Sequence, residues 1–89
     1  MEQLIQDKCE EVETRLHGLG LAGYIDGGDF GQYRSTGMMF ARFTWAGDSP
    51  DVNQAMQIRA AGWGVTCQDG RTVIEAGLGC KVVGVFKQA

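Results

Sequence analysis

Eighty-nine residues, 44% of them apolar and 21% charged, describe one small globular domain over residues 1–89 and exclude a disordered or low-complexity chain. Eight basic residues against eleven acidic ones give a formal charge of -3, which argues against direct nucleic-acid binding, since a phosphate-tracking surface needs clustered cations. No apolar run reaches the roughly 18–20 residues of a membrane span, and the polar, acidic opening segment is the reverse of a secretory signal.

Residues 2–18 are expected to form the first helix. Ile5, Cys9, Val12, Leu16 and Leu19 step by four, three, four and three, which puts them on one stripe, and Gly18 and Gly20 supply the stop. A short strand over 21–26 follows. The next 12 residues, Asp26–Gly37, hold four glycines and read as a long hairpin loop or as a turn flanked by frayed strand ends. Met38–Trp45 is a strand with Met39, Ala41, Phe43 and Trp45 on its core face. The opposite face carries Met38, Phe40, Arg42 and Thr44. A second helix is expected over 50–61, with Ser49 as N-cap, Pro50 in its first turn, and Val52, Ala55, Met56 and Ala60 facing inward. Residues 63–68 and 71–76 form a hairpin around Asp69-Gly70, a dipeptide suited to a type I′ turn. Gly77–Gly79 reads as another turn before a final strand over Cys80–Lys87.

This order predicts an α+β fold: two helices packed on one face of an antiparallel sheet of four or five strands. It is also the order of a ferredoxin-like β-α-β-β-α-β unit whose first strand has moved to the end.

The groups able to carry chemistry are few. His17, the sole histidine, falls in the last turn of a helix, where an imidazolium stabilises the dipole. Cys9, Cys67 and Cys80 are 58 and 13 residues apart, without the paired spacing of a zinc site, so neither a metal nor another cofactor is expected. Cys9 belongs to the helix stripe, and Cys67 and Cys80 lie in strands that could be neighbours. An odd cysteine count without a secretory signal reads as reduced thiols in the cytoplasm. Asp48 and Asp51 are helix-start charges, Glu75 stands alone on a strand, and Trp63 closes one end of the core.

Two surfaces point to a partner. Phe30, Tyr33 and Arg34 in the Asp26–Gly37 segment are of the types that dominate interface hot spots, and Met38 and Phe40 beside them need a cover. Residues 1–13 carry five acids and one lysine against six acids and seven bases in residues 14–89, so Glu10, Glu11 and Glu13 form a negative patch. The reading is a non-catalytic protein-binding module, an adaptor or stoichiometric inhibitor, whose partner is another protein or itself as a homodimer. Two alternatives stand beside it. One is an acidic phage or mobile-element antagonist of a nucleic-acid-processing complex, acting through the negative patch. The other is a small dimeric α+β lyase or isomerase using Glu75, His17 or Cys80 as its titrating group.

Overall fold

A computed structural model describes residues 2–81. The chain runs α1 (Glu2–Gly18), β1 (Gly23–Gln32), β2 (Met38–Gly47), α2 (Val52–Ala60), β3 (Gly64–Gln68) and β4 (Arg71–Lys81). The four strands form one antiparallel sheet in the order β1-β2-β4-β3. Strands β2 and β3 are therefore parallel, joined through α2, with β4 inserted between them. Moving β4 to the front of the chain turns this into the split β-α-β arrangement that the element order predicts. None of the helices among the described residues is long and apolar enough to cross a membrane.

The α1 stripe is the one its spacing predicts. Val12 and Leu16 are fully buried, and Ile5, Cys9 and Leu19 pack against the same cluster. The helix stops at Gly20, which takes φ of +89° while its N–H bonds the His17 carbonyl and that of Leu21 bonds Leu16. This is a Schellman ending, and only glycine adopts it without strain. Met39, Ala41, Phe43 and Trp45 of β2 are buried as expected, beside Ile74, Ala76 and Leu78 of β4. Ile58, Leu21 and Trp63 complete the same cluster. Each large apolar side chain buried this way contributes about 1.5–3 kcal/mol. Both helices lie on this one side of the sheet, so among the described residues no element covers the other side.

Three expectations are corrected. Asp26–Gly37 is not a long loop: β1 continues to Gln32 in register with β2, Asp26 and Gly27 are absorbed in a bulge between Ile25 and Gly28, and the reversal is confined to Tyr33–Gly37. Gly28 and Gly31 serve close approach within the sheet, while Gly27 and Gly37 take positive φ. A Cβ on Gly28 would stand 2.2 Å from the Arg42 carbonyl oxygen.

Second, α2 begins at Val52 with Asp51, not Ser49, as N-cap. The Asp51 carboxylate accepts from the Gln54 N–H at 2.8 Å, and the Gln54 side chain accepts from the Asp51 N–H at 2.9 Å. Gln54 also donates to the Leu19 carbonyl at 2.9 Å. That bond rotates the helix so that Ile58 is buried, while Val52, Met56 and Ala60 face outward.

Third, Gly77–Gly79 is no turn. β4 runs through it, Leu78 stays buried, and the extra residues open a bulge opposite β2 between Met38 and Phe40. Of the final strand expected over Cys80–Lys87, Cys80 and Lys81 belong to β4 and the rest lies outside the described residues. The strands that carry Cys67 and Cys80 are neighbours as expected, but Cys67 stands opposite Thr72, eight residues along β4 from Cys80, so the two thiols do not meet.

Candidate functional site: the uncovered sheet face

Alternation in β2 sends Met38, Phe40, Arg42 and Thr44 to the side of the sheet away from both helices. Register adds Asp29 of β1 opposite Arg42, and Glu75 and Val73 of β4 opposite Arg42 and Thr44. The Tyr33–Gly37 turn brings Tyr33 over the same face.

These side chains hold one another in place. The Tyr33 and Phe40 rings lie 4.5 Å apart between centroids, and the Arg42 guanidinium lies 5.5 Å over the Phe40 ring. Arg42 also donates twice to the Asp29 carboxylate, at 3.0 and 3.2 Å. The Tyr33 hydroxyl donates to Glu75. Phe40 owes its position to a missing side chain: a Cβ on Gly31, its partner on β1, would stand 2.8 Å from the ring. Beyond this cluster, Gly28, Asp29, Arg42, Thr44, Gln68 and Val73 line a shallow polar depression of about 490 Å³.

The pair of salt-bridge bonds is solvent-exposed, so it orients Arg42 more than it stabilises the fold. The hydrogen bond to Glu75 raises the Tyr33 pKa above the ordinary tyrosine value, with burial and the Glu75 charge adding to it and Arg42 opposing. Tyr33 is therefore a neutral donor at physiological pH. What the arrangement offers is two stacked rings, a guanidinium held by Asp29 and two carboxylates on a flat support, with rotamers already chosen by their mutual contacts.

The structure divides the sequence-predicted residues among three regions. Tyr33, Met38 and Phe40 share the uncovered face, and Arg34 is exposed in the adjoining turn. Phe30 points to the helix side of the sheet, 56% exposed, over a groove that Ile5, Cys9, Ile25 and Phe43 also line. Glu10 and Glu11 are exposed on α1, where Glu11 pairs with Lys8 at 2.8 Å. Glu13 is half-buried and accepts from the Ile25 N–H at 3.1 Å, so it ties α1 to β1. Asp29, Arg42 and Glu75 were not singled out by sequence as partners of this surface. The signal for them is charge on the outward positions of strands, which acquires meaning only once strand neighbours are known.

The titrating groups named for an enzyme do not converge. His17 donates through Nε2 to the Gly23 carbonyl at 2.8 Å and meets the Trp45 ring edge-on at 5.6 Å. Glu75 is on the opposite face of the sheet, and Cys80 is at the far end of β4. Burial raises the pKa of Cys9, with Glu13 and Glu10 adding to the effect, so that thiol is protonated at neutral pH. Among the described residues, no group of three His, Cys, Asp or Glu side chains could hold a metal ion. Trp63 caps the core as expected, with the Arg15 guanidinium 5.7 Å from its ring. No family model, curated protein or solved structure matches this chain.

Proposed function

We propose that this chain is a protein-binding module, an adaptor or stoichiometric inhibitor, that grips its partner with the uncovered sheet face around Tyr33, Phe40 and Arg42. The observation that carries the reading is the preordered stack: Tyr33 on Phe40 at 4.5 Å, under a guanidinium already fixed by Asp29. Tyrosine and arginine are enriched among residues that dominate binding energy, and groups ordered before binding lose less entropy on association. A protein partner fits better than a nucleic acid, because the chain carries a formal charge of -3 and the Arg42 guanidinium is already paired with Asp29. A cytoplasmic location belongs to the same proposal, supported by the free thiols of Cys9, Cys67 and Cys80. The acidic surface of α1 supports the antagonist alternative less well, since Glu13 is engaged with Ile25 and Glu11 with Lys8.

Affinity capture from the native host tests the proposal. The wild-type chain should retain a stoichiometric protein partner, and a Tyr33→Ala/Phe40→Ala variant should lose about tenfold or more in affinity, as loss of hot-spot side chains does. Equal retention by the variant, or preferential retention of RNA, would refute it.

A further inference from the structure

The β3 edge of the sheet and the neighbouring helix α2 share an outward strip with its own logic. In the β3–β4 hairpin, Asp69 and Gly70 both have positive φ, 53° and 76°, as a type I′ turn requires. Such a turn makes Gln68 and Arg71 a hydrogen-bonded pair. Alternation then directs the N–H and C=O of Val65 and Cys67 away from β4. Arg59 agrees with this assignment, for its Nη2 donates to the Val65 carbonyl at 3.0 Å from outside the hairpin. That oxygen retains a second lone pair for another donor. Strand edges are usually blunted by proline, charge or a bulge. β1 has a bulge with Asp26 and Asp29, whereas β3, Gly-Val-Thr-Cys-Gln, has no proline, charge or bulge of its own and is guarded among the described residues only by its shortness and by Arg59 at Val65.

Beside this edge, Ala55 and Arg59 of α2 line a groove of about 280 Å³ together with Val65, Thr66 and Cys67. At about 100° per residue, Val52 and Met56 come next around the helix. They are 76% and 61% exposed, the most exposed large apolar side chains among the described residues. The strip also changes sign along its length, with Asp48 and Asp51 before the helix and Arg59 in its last turn.

We infer that this strip seats a second copy of the same chain. β3 pairs antiparallel with its counterpart about a two-fold axis at Thr66, and the two α2 helices pack antiparallel beside the junction. An isologous contact needs a surface complementary to itself. Here Val65 meets Cys67 of the other copy, exchanging the outward N–H and C=O groups. The acidic start of each α2 meets Arg59 of the other, and Val52 and Met56 leave water. The two sheets become one, and the Tyr33–Phe40 face stays open on both copies.

Sedimentation equilibrium across the micromolar range tests the contact, with a species of twice 9.6 kDa expected. A Val52→Asp/Met56→Asp variant, altered at exposed positions and checked for an unchanged far-UV spectrum, should raise the dissociation constant about tenfold or more. Thr66→Cys in a Cys67→Ser background should form a disulfide on mild oxidation, mapped by mass spectrometry to position 66 in both copies. Facing residues at such a site have Cα atoms about 4.5 Å apart, within the roughly 4.4–6.8 Å span of a disulfide. Gln68→Cys in the same background should not cross-link. A 9.6 kDa species throughout, an unaffected Val52→Asp/Met56→Asp dimer, or equal cross-linking at 66 and 68 would overturn the inference. Phe40→Ala should leave this dimer intact; its dissociation by Phe40→Ala would put the second copy on the sheet face instead.

Discussion

Gly28 and Gly31 do different work from the flexible-loop role their sequence suggests. At Gly28 a Cβ would meet backbone, 2.2 Å from the Arg42 oxygen, and backbone cannot step aside as a side chain can. Gly28→Ala should therefore destabilise the fold by about 1–3 kcal/mol, the usual cost of overpacking, read as a lower urea midpoint. Tyr33 carries a pH signature. Its pKa is raised in the folded state, so its contribution to stability is full below the unfolded value near pH 10 and drains away as pH rises through the folded value. Between pH 9 and 12 (about that unfolded value) the wild-type urea midpoint should fall further than that of Tyr33→Phe. Equal falls would mean that the bond to Glu75 does not persist in solution.

At the scale of elements, α2 shows why periodicity alone chose the wrong side. Val52, Met56 and Ala60 do recur at helical spacing, but a helix of nine residues fits a second inward set as well. The capping box on Asp51 and the bond from Gln54 to Leu19 decide between them by turning Ile58 inward. Ile58→Ala should thus cost about 2–5 kcal/mol in chemical unfolding of the monomer at low protein concentration, whereas Val52→Ala should change that stability by no more than about 0.5 kcal/mol. The reverse ranking would restore the stripe read from sequence. Elements with a longer or stricter pattern were legible. The α1 stripe repeats through the whole helix, β2 alternates without interruption, and Asp69-Gly70 marks its own hairpin. The second half of β1, from Asp26 to Gln32, reads as a loop in the sequence because glycine stands for both flexibility and close approach, and one sequence does not distinguish the two. Gly77 and Gly79 misled in the same way, marking a bulge in place of a turn.

For the molecule as a whole, element order anticipated the layer arrangement, and amphipathic patterning located the core. Strand order had to come from the structure, and with it the site. Met38 and Phe40 are visible in the sequence as large side chains that need a cover, and Tyr33 as a residue of hot-spot type. Asp29, Arg42 and Glu75 lie 13 and 33 residues from one another along the chain and become neighbours only through the β1-β2-β4 register. The same register sends Phe30, their neighbour in sequence, to the helix side. With both helices on one side, no element among the described residues covers the opposite side, and the proposed function places the partner there. Hydroxyl-radical footprinting of the free chain and of its captured complex examines this directly. Tyr33, Met38 and Phe40 should lose reactivity in the complex while Phe30 and Leu4 keep theirs. Protection confined to Phe30 and α1, with Tyr33, Met38 and Phe40 as reactive as in the free chain, would contradict the account.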